Sequence, residues 1–240
     1  MIVLFTDFGL QGPYTGQVHA RLLQLAPDVP VINLFSDLAA FDVQAAAYLL
    51  PAYTQGFPAG TVFLCVVDPG VGGERPAVIL KADDRWFVGP NEGLFALVAR
   101  RAERVECHEL PPASGVSSSF HGRDVFAPVA ARLASGQSVD ARPVPAGSVE
   151  QPGWPNDLLR VVYVDRYGNA VTGIRASQLD TTRVIHVNGH ALHAQRTFSD
   201  VPSGAPFWYE NSSGLIELAV NQGRADEQLG AVVGVTVSVT

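Results

Sequence analysis

Carboxylates, a guanidinium and an imidazole stand in this sequence beside glycines, at points where apolar runs stop. Asp7 lies in Thr6-Asp7-Phe8-Gly9, directly after the run Ile2–Phe5. A carboxylate there suits hydrogen bonding to a ligand's hydroxyls, such as a ribose diol. Asp68-Pro69-Gly70-Val71-Gly72-Gly73-Glu74-Arg75 supplies a carboxylate, a pliable backbone and a guanidinium within eight residues. No GKS or GKT follows, so this is not a P-loop. Ser119-Phe120-His121-Gly122-Arg123-Asp124 sets an imidazole, which titrates near neutral pH, beside a glycine that leaves it free to face a cavity. Val164-Asp165-Arg166-Tyr167-Gly168-Asn169 joins an acid and an amide to an aromatic, a set suited to a polar ligand.

Each segment also has a plain structural reading. Asp7 suits an Asx turn, Arg75 a surface position, and Asp124 the N-cap of a helix over Val125–Leu133. The DFG of protein kinases is excluded, because a kinase also needs a glycine-rich loop, a strand lysine and an HRD loop. The one lysine, Lys81, follows the 68–73 loop. His186, His190 and His193 straddle Asn188-Gly189 without the spacing of a helical HExxH zinc site, and read as hairpin histidines on the surface. Cys65 sits in an apolar run and reads as a small buried hydrophobe. Nothing supports Cys107-His108 as a nucleophile pair.

The elements that must position these groups alternate in period. Short continuous apolar runs at Ile2–Phe5, Val29–Phe35 and Thr61–Val67 read as strands buried on both faces. Between them, Tyr14–Leu25 and Asp42–Ala52 read as helices, the second with Asp42 at its N-terminus. Ala77–Lys81 and Trp86–Val88 read as a strand pair about Asp83-Asp84, and Gly93–Arg104 as a further helix. This order predicts an α/β domain with a mainly parallel sheet over residues 1–142. Ligands of such sheets sit beyond the carboxyl ends of the strands, where Asp7 and Asp68 both fall. Proline and glycine then break the pattern from Gly136 onward, and residues 143–156 read as a linker. Residues 157–240 carry strand-like runs at Leu158–Val164, Arg183–Val187, Ala191–Arg196, Leu215–Val220 and Val232–Val239, with a hairpin signal at Asn188-Gly189. They predict a small all-β, barrel-like domain.

Composition narrows the function classes. In 240 residues, 47% are hydrophobic and 16% charged, which excludes intrinsic disorder. Net charge is −7 with no basic stripe, which argues against a nucleic-acid groove and an anionic membrane surface. Two cysteines make no disulfide framework. The N-terminus has no basic segment before its apolar run and no run approaches a membrane span, so a cytoplasmic location is expected.

Taken together, five segments resemble the S-adenosylmethionine hydrolases (adenosine-forming), of the superfamily that also holds the fluorinase and chlorinase. They are Thr6-Asp7-Phe8-Gly9, Val67-Asp68-Pro69-Gly70-Val71-Gly72, Ser119-Phe120-His121-Gly122-Arg123-Asp124, Asp165-Arg166-Tyr167-Gly168-Asn169 and Asn211-Ser212-Ser213-Gly214. Each is weak alone; in family order across nearly the whole chain they are specific. The resemblance implies an α/β domain, a β-barrel domain and a homotrimer with active sites between subunits. It implies hydrolysis of S-adenosylmethionine to adenosine and L-methionine, with no cofactor and no metal, the small molecule being the substrate. The family's catalytic set falls on Asp68, Arg75 and His121. Asp7 matches the residue that holds the ribose hydroxyls, and Phe41 an aromatic that stacks on adenine. Asp165, Asn169 and Tyr167 match the groups at the methionine end. Ser212, Glu217 and Val220 fall in the segment lining the pocket from the neighbouring subunit.

The halogenases resemble one another in a tyrosine where this chain has Asp68, and the fluorinase has a halide-binding serine where this chain has Gly122. The fluorinase's extra N-terminal-domain loop has no counterpart here. These departures favour water over halide. Gly89-Pro90-Asn91-Glu92-Gly93 departs from the hydrolases too, which are expected to carry an Asp-Asn pair there. Arginine stays charged and cannot be the base. The proton therefore falls to His121 or Asp68, with His121 favoured and Asp68 orienting Arg75 and the water.

Overall fold

The structure is a computed structural model that describes all 240 residues. It forms two compact units, Met1–Pro152 and Gly153–Thr240.

The larger unit is built on the apolar runs. Its elements are β1 (Ile2–Thr6), α1 (Tyr14–Leu25), β2 (Val31–Phe35), α2 (Val43–Thr54), β3 (Val62–Val66), β4 (Ala77–Ala82), β5 (Arg85–Pro90), α3 (Ala96–Arg101), β6 (Val105–Glu109), a π-helical turn at Gly122–Phe126 leading into α4 (Ala127–Ala134), and β7 (Arg142–Val144). The seven strands make one sheet in the order β2-β1-β3-β5-β4-β6-β7. Neighbours among β2, β1, β3 and β5 are parallel, and β4, β6 and β7 continue antiparallel. The sheet is thus mixed, with a parallel part that carries the strand ends of interest. Every residue of β1 and β3 is buried, which is why these strands read as unbroken apolar runs. One face packs Ile2, Leu4, Val62 and Leu64 against Val18 and Leu22 of α1 and Ala127, Ala130 and Ala131 of α4. Phe63, one residue out of phase, points to the other face and stacks on Phe87 at 5.0 Å.

Gly89 lets β5 lie close on β3: a side chain there would overlap the Cys65 carbonyl oxygen. Asp42 caps α2, accepting the Ala45 N–H at 2.9 Å. The helix expected over Gly93–Arg104 is confined to Ala96–Arg101: Gly93 adopts φ +99°, outside the helical region, and Ala102 is already extended. Asp124 is no N-cap. It lies inside the π-helical turn, accepts the Ser117 N–H at 3.2 Å and pairs with Arg123. In the stretch that reads as a linker, Arg142–Val144 instead pairs with β6 as an edge strand and Ala146–Val149 forms a 3-10 turn with Val149 buried. Prolines at such an edge cost no ladder bonds.

The smaller unit contains β8 (Leu158–Val164), β9 (Ala170–Arg175), β10 (Val184–Val187), β11 (His190–His193), β12 (Pro206–Glu210), β13 (Leu215–Val220), the short helix α5 (Ala225–Gln228) and β14 (Ser238–Val239). Its sheets, β12-β13-β9-β8 and β11-β10-β14, are antiparallel and share one core that includes Val161, Ile174, Ile185, Trp208 and Leu218. Asn188 and Gly189 take φ of 47° and 83° and turn β10 into β11, as a type I′ hairpin requires. Strands β9 and β12 lack a clean signal: Gly173 interrupts one and Pro206 opens the other. The run Val232–Val239 contributes only β14 and an isolated bridge, Arg160–Thr236. No helix is long and apolar enough to cross a membrane.

Candidate active site

From β1 the chain passes through α1 to β2 on one side, then crosses to β3 on the other. The carboxyl ends of β1 and β3 therefore flank a crevice at a switch in strand order, the usual ligand position in open α/β sheets. Asp7 leaves β1 there, its N–H donating to the Val66 carbonyl at 3.3 Å. Asp68 leaves β3 two residues after Val66. Glu92 follows β5, the next parallel strand.

Asp68 and Arg75 meet across the loop they bound. Arg75 Nε donates to Asp68 Oδ1 at 2.7 Å, and Nη2 donates to Oδ2, a bidentate fork. The side chains are 9% and 5% exposed, so the pair is desolvated. Arg75 Nη2 also stands 3.1 Å from His121 Nδ1. Since guanidinium only donates, that nitrogen accepts, and the neutral ring carries its proton on Nε2. The Phe126 ring lies beneath the guanidinium at 5.5 Å. The loop is held by bonds from Val71 N–H to Asp68 (3.3 Å) and from Gly73 N–H to Gly70 (2.9 Å). Gly72, at φ +82°, presses on the Ser118 carbonyl, where a Cβ would not fit. A Cβ on Gly122 would come 2.7 Å from Phe8 Cζ. A cavity of about 470 Å³ opens beside Arg75 and His121, walled by Leu110, Pro112 and Val125.

Asp7 Oδ2 accepts the Phe41 N–H at 3.3 Å. Burial raises the Asp7 pKa above the ordinary aspartate value; the Phe41 and Asp7 N–H groups oppose the rise and the Asp68 charge adds to it. Phe41 holds φ 65°, rare for a bulky residue, and its ring is 74% exposed. Glu92 lies against Gly70, so that a side chain at 70 would overlap its Oε1. Burial and then Asp68 raise the Glu92 pKa, with Arg75 opposing.

The candidates of the smaller unit form their own group. Asp165 Oδ1 accepts the N–H groups of Tyr167 (2.8 Å) and Asn169 (2.9 Å), and Oδ2 accepts Asn169 Nδ2 at 3.2 Å. Asp165, Tyr167, Asn169 and Val220 line one cavity of about 640 Å³ with Tyr209 and Arg224. The Tyr167 ring is 75% exposed. Glu217, on β13, is buried behind this wall; it accepts from Tyr209 Oη at 2.5 Å and Asn211 Nδ2 at 2.9 Å, and burial raises its pKa. Ser212 is set apart and lines a second cavity, about 800 Å³, with Trp208 and Arg196.

Sequence reasoning missed Tyr209 and Arg224, which reach the cavity from segments distant in the chain. No local signal marks them. Glu92 could be noticed only as a departure from an expected motif.

The SAM hydroxide adenosyltransferase N-terminal domain matches residues 2–142, and the C-terminal domain of that family matches residues 159–238. A curated protein of Thermus thermophilus, named (R)-S-adenosyl-L-methionine hydrolase, is 38% identical, with 98% of each chain covered. A fluorinase of Nocardia brasiliensis is 24% identical, covering 100% of this chain and 96% of its own length. The crystal structure of an uncharacterized conserved protein from Thermotoga maritima superposes with a TM-score of 0.88 at 30% identity, covering 100% of this chain and 99% of the other. By both domain matches and by full-length identity, this chain belongs to the SAM hydroxide adenosyltransferase family.

Proposed function

We propose that this protein hydrolyses S-adenosyl-L-methionine to adenosine and L-methionine by attack of water at the ribose 5′ carbon. The observation that carries the reading is the Asp68–Arg75–His121 chain beside Asp7, at the switch point of a sheet belonging to this family. The new bond joins the water oxygen to C5′. The C5′–S bond breaks with its electron pair going to sulfur, which leaves as a neutral thioether. The leaving group is already activated as a sulfonium. The protein's task is therefore to align water and exclude bulk solvent.

Asp68 and His121 hold the guanidinium of Arg75 from two sides, and the set orients the water and favours hydroxide character. The sequence favoured His121 as proton acceptor. Its Nδ1 accepts from Arg75, so protonation there would break that bond and set imidazolium against guanidinium. His121 instead serves as a neutral group with Nε2–H available to the water oxygen. Asp7 holds the ribose hydroxyls and Phe41 covers the adenine. Asp165, Asn169 and Tyr167 take the methionine end. Val220 lines the same cavity as these three, Glu217 fixes Tyr209 in its wall, and Ser212 lines the separate cavity beside Trp208.

The exposed rings of Phe41 and Tyr167 support sites completed by a neighbouring copy in a homotrimer. In the smaller unit, two sheets on one core and the bridges Arg160–Thr236 and Ala194–Trp208 support barrel-like closure. No cofactor is needed for displacement of a sulfonium. A side chain at position 122 would crowd the tip of the Phe8 ring, so a serine there would require that ring to shift, which supports water over halide.

The test is chromatography after incubation with S-adenosylmethionine, without and with excess chloride. Equal amounts of adenosine and methionine, unaffected by chloride, are expected. A 5′-chloro product, or no turnover, would overturn the reading.

A further inference from the structure

Hydrolysis releases a proton, and the groups already assigned are poorly placed to take it. Both Asp68 oxygens accept from Arg75. His121 Nδ1 is engaged by the same guanidinium. Asp7 accepts the Phe41 N–H and, in the hydrolase reading, holds the ribose. Glu92 differs from all of these. It stands at the carboxyl end of β5, beside β3 in the parallel part of the sheet. Its carboxylate rests on Gly70, within the loop whose ends are Asp68 and Arg75. It accepts no hydrogen bond and forms no ion pair, so its lone pairs are open.

We propose that Glu92 is the general base that receives the proton of the attacking water, a role that rests on the hydrolase reading above. In this step a water O–H bond breaks as the O–C5′ bond forms. The proton passes to a Glu92 oxygen, and the sulfur takes the electron pair of the broken C5′–S bond. Glu92 then returns the proton to solvent. The local electrostatics agree. The charged groups facing Glu92 are Asp68 and Arg75, and burial together with Asp68 raises its pKa from the ordinary glutamate value against the pull of Arg75. A base whose pKa lies closer to the working pH is more effective. The motif 89–93 thereby acquires a function that its departure from the hydrolase pattern left open.

The experiment measures kcat and KM for S-adenosylmethionine across pH with the full-length wild type, Glu92→Gln and Glu92→Asp, alongside thermal melts. Wild-type activity should fall on the acid side as Glu92 protonates. Glu92→Gln should lower kcat about 100-fold or more and lose that acid limb, with KM nearly unchanged. It should melt at the wild-type temperature or above, because an unpartnered charge beside Asp68 is gone. Glu92→Asp should keep the acid limb at reduced kcat. Wild-type kcat in Glu92→Gln would overturn the proposal, as would a lower kcat that keeps the acid limb. The same holds for a loss confined to KM or accompanied by unfolding while Glu92→Asp shows no acid limb. A wild type that releases no adenosine would instead overturn the hydrolase reading, and this role with it.

Discussion

At Asp68 and Arg75, stability and the proposed catalysis depend on the same atoms. The pair is almost wholly buried, so removing one partner strands the other without compensation. Asp68→Asn keeps the shape but turns a donor toward the guanidinium. It should lower kcat by about 100-fold or more and reduce unfolding free energy by about 3–5 kcal/mol. Adenosine release and urea denaturation test the two effects separately, and near-normal turnover by a folded variant would remove Asp68 from the catalytic set. Asp7 is different, because its burden is burial. Its pKa is raised in the folded protein, so any stability it contributes is full below the unfolded pKa and is lost as pH rises through the folded one. Asp7→Asn should therefore gain stability near neutral pH relative to wild type, with the difference vanishing in acid. It should also weaken adenosine binding about tenfold or more, because the proposed charge-assisted hydrogen bond to the ribose is lost. Melts at several pH values and calorimetry with adenosine would show both.

Among the elements, α2 and β5 set the crevice walls. The Asp42 cap satisfies an otherwise orphaned N–H of α2, just after Phe41. Asp42→Ala should cost about 1 kcal/mol by urea denaturation, and should weaken adenosine binding if the frayed turn frees Phe41. Strand β5 brings Glu92 beside Gly70 only because Gly89 admits the Cys65 carbonyl. Gly89→Ala must push the strands apart, and the expected result is loss of soluble folded protein or a fall in stability of about 3 kcal/mol or more, in the range of severe overpacking. An unchanged melting temperature would show that the β3–β5 contact is looser than described.

For the whole molecule, large aromatic surface stands uncovered where ligand contacts are proposed: Phe41 is 74% and Tyr167 75% exposed. A ligand or a second copy that covered them would gain the free energy of removing that apolar area from water. Sedimentation should give three times the 25.5 kDa chain mass. A monomer that hydrolyses S-adenosylmethionine at full rate would end the shared-site proposal while leaving the reaction intact.

Much of this was legible in the amino-acid order because it rests on local rules. Unbroken apolar runs mark β1 and β3, since strands buried on both faces need no alternation. Asx and glycine signals mark the cap at Asp42 and the turn at Asn188-Gly189. The ends of β1 and β3 locate Asp7 and Asp68, and five ordered motifs carry the family resemblance. Pairing between distant segments was not legible. Arg142–Val144 becomes an edge strand because β6 offers free backbone groups, which outweighs its proline content. Asp124 leaves the N-cap role because Ser117 and Arg123 compete for its oxygens. Arg75 meets His121, 46 positions further along the chain, and the lone pair it occupies bears on which group the proposal leaves to take a proton. Sequence order thus determined the residue types, the strand ends and the family. Only the tertiary structure decided which donors fill which acceptors, because hydrogen-bond saturation is a property of side chains gathered in space.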